Sequence, residues 1–95
     1  MAIRSFSDPA TEAFFLTGRV KNVGWSGIKA VARRKLDMVH YAADLADSRS
    51  PPGNRLEALK GALKGWHSIR INDQWRVVFR WSEGGAEDAR IADYH

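Results

Sequence analysis

The stretch Trp75-Arg76-Val77-Val78-Phe79-Arg80-Trp81 constrains this chain more than any other. Successive side chains of a β-strand leave opposite faces. Trp75, Val77, Phe79 and Trp81 therefore share one face, and Arg76, Val78 and Arg80 share the other. An aromatic face of that size has to be buried against another layer, while an arginine-bearing face has to meet water or an anion. The segment before it repeats the pattern, with His67, Ile69 and Ile71 on one side and Trp66, Ser68 and Arg70 on the other. Asn72-Asp73-Gln74 reads as a tight turn between the two, and Ser82 to Ala86 as a second turn. Glu87 to His95 reads as a last strand, and Arg55 to Leu59 as a short one. The second half thus predicts an antiparallel meander with one face packed and one face basic.

The first half predicts what packs on it. Ile3 to Phe6 suits a short opening strand. Asp8-Pro9 places a capping carboxylate before a proline at the first helical position. Ala10, Ala13, Phe14 and Leu16 form an apolar face, and Gly18 is a natural stop. Ser26 is the expected cap of a second helix. Ile28, Val31, Ala32, Leu36, Val39 and Ala43 recur there at steps of three and four, the period of an amphipathic helix. Ser50-Pro51-Pro52-Gly53-Asn54 breaks that pattern and closes the helical half. The expected fold class is α+β, with two to three N-terminal helices on one face of a four- to five-stranded, mainly antiparallel sheet. All 95 residues form a single domain in this reading.

Composition narrows function only coarsely. There is no cysteine, which removes thiol catalysis and thiolate metal sites and fits a cytoplasmic protein. No apolar run approaches the roughly 20 residues of a membrane helix. Fifteen Lys and Arg against eleven Asp and Glu give a formal charge of +4. An anionic partner such as nucleic acid fits that balance. Neither metal-ligand spacing of histidines nor a glycine-rich phosphate loop occurs, so no cofactor is expected.

Arg70, Arg76 and Arg80 should crowd one face of adjacent strands. Strand arginines ordinarily keep a sheet face in water, but like charges side by side repel unless an anion joins them. Lys60, Lys64 and Arg55 lie nearby in sequence. Asp93-Tyr94-His95 is either an ordinary strand end or a site. RNA cleavage requires a base for the 2′-hydroxyl, an acid for the leaving oxygen and cations for the phosphate, and imidazole suits either proton-transfer role. Strict alternation sends Tyr94 to the side opposite Asp93 and His95. Arg33, Arg34 and Lys35 point in different directions on a helix and are not one patch; a solvated helix face explains most of them, and with Lys29 some could form a docking surface for a large RNA. His67 reads as a core or sheet-edge histidine.

The segment from Pro51 to His95, with its "PPGNRLEALKG", "SIRINDQWR" and terminal "DYH", resembles the HigB branch of the RelE-like toxins, nearest to members of the growth-slowing, host-inhibition kind. The resemblance begins at Ile3-Arg4-Ser5-Phe6 and covers nearly the whole chain. It implies a compact domain that binds the ribosomal A site and cuts mRNA there by metal-free attack of the 2′-oxygen. It also implies a cognate helix-turn-helix antitoxin, HigA-like in this branch. By position, His95 matches a catalytic histidine flanked by Asp93 and Tyr94, Arg76 a phosphate-holding arginine, and Lys60 a lysine near the scissile group. Glu57 stands where some relatives carry a second catalytic histidine, and Ala62 where many carry an acid. Both departures point to a weak toxin. A ParE-like, gyrase-binding toxin without enzymatic activity, and an RNA-binding module without nuclease activity, are the alternatives.

Overall fold

A computed structural model describes residues 3–20, 23–49 and 51–93. Two α-helices lead into a four-stranded sheet: α1 (Pro9–Thr17), α2 (Lys29–Tyr41), β1 (Glu57–Ala58), β2 (Trp66–Arg70), β3 (Trp75–Ser82) and β4 (Gly85–Asp93). The strand order is β1-β2-β3-β4, every pair antiparallel.

α1 starts as its sequence dictates. Asp8 is extended and its carboxylate accepts from the Thr11 N–H, Pro9 opens the helix, and Gly18 closes it in the left-handed region. Thr11 is fully buried and ties the helix to the sheet. Its hydroxyl donates to Asp8 Oδ2 (2.6 Å) and accepts from the Ile91 N–H (3.1 Å). The apolar face is narrower than the sequence suggests. Phe14 is buried, but Ala13 is exposed and Leu16 is 71% exposed. Leu16 follows Phe14 by two residues, about 200° around the helix, so it points outward when Phe14 points in.

α2 begins later than expected. A 3-10 turn over Ser26–Ile28 precedes it, and the Ser26 hydroxyl donates backward to the Val23 carbonyl instead of capping. Ala32, Leu36 and Val39 are fully buried, as their spacing requires, whereas Ala43 lies beyond the helix and is exposed. The solvated helix face expected to explain most of Arg33-Arg34-Lys35 does not extend to Lys35. Arg33 pairs with Asp37 and donates to the Phe15 carbonyl, clamping α2 to α1, while Lys35 is buried. Two further 3-10 turns, Leu45–Arg49 and Pro52–Asn54, cover the breaker region.

The sheet follows the alternation. Ile69, Ile71, Val77, Phe79 and Ile91 meet Phe14, Trp25, Leu36 and Val39 in one core. Asn72 Oδ1 accepts from the N–H groups of Gln74 and Trp75, which fixes the β2–β3 turn. Glu83 and Gly84, both at positive φ, form the two-residue β3–β4 turn. The register breaks once. Val78 pairs with Arg90, but Arg80 pairs with Glu87, so Asp88 and Ala89 together face Phe79 as a bulge, with Asp88 at φ 54°. The opening segment is not a full strand. It makes two parallel bridges to β4, Ile3 with Ala86 and Phe6 with Ala89.

Candidate functional site

The register defines the face turned away from the helices. One row holds Arg70, Arg76 and Ala92. The next holds Glu57, Ser68, Val78 and Arg90, and the third Trp66, Arg80 and Glu87. Arg70, Arg76 and Arg80 therefore share a face as predicted, but they are not equivalent there.

Arg76 is the centre of the face and is only 8% exposed, not the open cation the alternation suggested. Its Nε donates to Ser68 Oγ (2.7 Å), and its Nη2 to the carbonyls of Arg55 (2.5 Å) and Ser68 (3.3 Å). Its Nη1 pairs with Glu57 Oε1 at 3.3 Å. Ser68 and Val78 are buried beside it. The buried guanidinium is compensated because the neighbouring strand and the Arg55 turn supply acceptors in its plane. Glu57 projects from a two-residue edge strand, so its carboxylate stays half in water while reaching Arg76.

The other two arginines also carry acids from their own chain. Arg70 pairs with Asp73. Arg80 pairs with Glu87 (3.2 Å) and Asp88 (3.0 Å), and its guanidinium lies 5.9 Å from the Trp66 ring centre. The β4 bulge lets two consecutive acids reach one arginine, something strict alternation forbids. Three arginines on one face thus avoid mutual repulsion through intramolecular carboxylates. The Ser82 hydroxyl, followed by Arg4 and Arg80, holds the Glu87 carboxyl below its usual range.

Lys60 is exposed, and its ammonium has no partner among the described residues. It precedes a 3-10 turn over Gly61–Leu63, on the β1 side of the sheet. Asp93 lies at the opposite edge, paired in register with Trp75, and accepts from Gln74 Nε2 at 2.9 Å. Tyr94 and His95 lie outside the described residues. Glu57 and Arg76 are therefore brought together, and Arg76 stands next to Ala92 at the end of β4. His67 packs beside Phe79, and burial pushes its imidazole below 6.5.

The face also holds a residue that the sequence reading passed over. Arg90 sits opposite Val78, and its buried Nε has no hydrogen-bond partner among the described residues. Its position in "EDARIAD" was legible from alternation counted back from the chain end. Counting forward from Glu87 crosses the bulge and loses the phase.

Residues 4–95 match the model of the HigB-like toxins, described as the RelE-like toxin of the type II toxin–antitoxin system HigB. The chain belongs to this HigB family. A relative from Vibrio cholerae, Toxin HigB-1, is 42% identical over 81 residues, 85% of each chain. An uncharacterised protein of Haemophilus influenzae is 34% identical over 76 residues, 80% of this chain and 75% of its own. Among solved structures, a YoeB–YefM complex from Staphylococcus aureus matches with a TM-score of 0.56 at 17% identity, covering 100% of this chain and 99% of that one. A YoeB/ParE toxin from Agrobacterium tumefaciens matches at 0.55 and 18%, covering both chains fully. The last two share the fold. At the centre of the open face, Glu57 and Arg76 are joined in one ion pair.

Proposed function

We propose that this HigB-family toxin is a ribosome-dependent mRNA endonuclease that inhibits translation. It would act in the cytoplasm and be neutralised by a HigA-like helix-turn-helix antitoxin. The observation that carries the reading is the Glu57–Arg76 pair at the centre of an arginine-bearing face. Cleavage by the 2′-oxygen forms a 2′-O–P bond and breaks the P–O5′ bond, leaving a cyclic phosphate. One group takes the 2′-hydroxyl proton, another protonates O5′, and cations hold the charge gathering on phosphorus. Glu57 is the candidate base. Its guanidinium partner keeps a carboxylate tolerable beside RNA phosphates. Arg76 and Lys60 are the candidate phosphate ligands, with Arg70 and Arg80 along the RNA path. His95 is the candidate acid, Asp93 its orienting carboxylate, and Tyr94 a stacking or hydrogen-bonding group.

Cleavage of a defined mRNA on programmed ribosomes tests this. The His95→Ala variant should retain the fold and lose about two or more orders of magnitude in cleavage rate. An undiminished rate would remove His95 from the chemistry.

A second reading, RNA binding with weak or lost cleavage, is favoured by one observation. Glu57, Asp73, Glu87 and Asp88 already occupy the arginines that RNA would need. Normal ribosome affinity without mRNA cutting by the wild type would establish it.

A further inference from the structure

Lys35 is a helix residue with almost no access to water, 9% exposed, and its ammonium meets an amide rather than a carboxylate. Its Nζ donates to Asn54 Oδ1 at 2.6 Å, and Asn54 is fully buried. The same amide donates to the Ser48 carbonyl (3.2 Å) and contacts Met38 Sδ (3.4 Å). Asn54 thus pins the Pro52–Asn54 turn to α2 through Lys35 and Met38. The next residue, Arg55, is held at φ 45°, ψ 58°, a left-handed conformation that non-glycine residues adopt only when their surroundings fix it. That conformation aims the Arg55 carbonyl at Arg76 Nη2, 2.5 Å away. Two residues further on, Glu57 enters β1 and pairs with the same guanidinium.

We propose that Lys35, acting through Asn54, is a positioning residue that fixes the Arg76 guanidinium for phosphate. The inference rests on the nuclease reading for its purpose, and on the Lys35–Asn54–Arg55–Arg76 chain for its structure. A buried ammonium without a carboxylate is costly, and a leucine or methionine would fill α2 at that point more cheaply. Burial, followed by the nearby Arg34 and Arg70, lowers the Lys35 pKa, so the position bears an electrostatic strain that packing alone does not require. What an apolar side chain would lose is the anchor on Asn54.

The test pairs two readouts on Lys35→Met and Lys35→Gln, the second a shorter and uncharged donor. Hydrogen exchange of the Arg76 Nε–H, followed by 15N NMR of the whole toxin, should accelerate at least about tenfold in both variants. On programmed ribosomes, kcat for mRNA cleavage should fall about tenfold with KM within about twofold, the pattern of a misaligned group acting in the transition state. Lys35→Arg, which keeps a cationic donor, should recover part of both. Unchanged Arg76 exchange in the folded variants would overturn the proposal. Failure of both variants to fold would overturn it too, because Lys35 would then hold the whole domain rather than one arginine. A wild type that does not cut mRNA would remove the nuclease reading, while the exchange readout would still decide whether Lys35 fixes Arg76.

Discussion

Arg76 does two jobs that usually belong to different residues. It fills a polar hole in the sheet, with Ser68 and the Arg55 carbonyl as acceptors, and it offers one edge of its fork to Glu57. A lysine at this position keeps the charge but cannot bond in three directions from one plane. Arg76→Lys should therefore lower stability by about 1–3 kcal/mol, read from urea unfolding, as well as slow cleavage. His67 supplies a pH effect of known sign. Burial holds its folded pKa below 6.5, so on acidification the unfolded chain takes up the proton first. Stability should fall as pH drops from about 7 toward 5, and His67→Gln should flatten that dependence in unfolding curves at several pH values. That Arg70, Arg76 and Arg80 share the face was legible from alternation, whereas Arg90 was missed. Which carboxylate each would meet was not legible, because Glu57 and Asp73 come from an edge strand and a turn, and the pairing of Arg80 depends on a bulge.

Among the elements, β3 was the most legible, and in α1 the two ends were legible but the width of the buried face was not. A long strand with aromatics on one side has a single stable register, since a one-residue slip would put three large rings in water. In α1, Leu16 is two residues from the buried Phe14, on the far side of the helix, and stays outside. The second helix started late because Ser26 found a nearer acceptor in the Val23 carbonyl. The approach to that helix carries a sharp steric demand. A methyl placed on Gly24 would stand 2.5 Å from Trp75 Cζ2, inside the ring's own volume. Gly24→Ala should therefore push Trp75 off the sheet and cost about 1–3 kcal/mol in thermal unfolding. At the other end of the first half, Asp8→Ala removes the α1 cap and the acceptor of the buried Thr11 hydroxyl. It should cost about 1–2 kcal/mol by the same measurement.

At the scale of the molecule, the sheet leaves little edge for another chain to pair with. β1 is two residues long, and the outer side of β4 is taken by the opening segment, with Arg4 N–H on the Ala86 carbonyl, Ala89 N–H on the Ser5 carbonyl and Ser7 N–H on the Ala89 carbonyl. Replacing both Ile3 and Phe6 by Asp should release that segment and shift the protein toward larger species in size-exclusion chromatography. The bridges join residues more than eighty positions apart. That has a consequence for how the protein is made. While it is being translated, Ile3 to Ser7 wait for partners polymerised more than eighty residues later, and the core face of β3 waits for Ala89 and Ile91. The domain cannot close until β4 has cleared the exit tunnel of the ribosome making it. A nascent chain whose β4 is still inside the tunnel therefore lacks the closed sheet on which the proposed nuclease face is built.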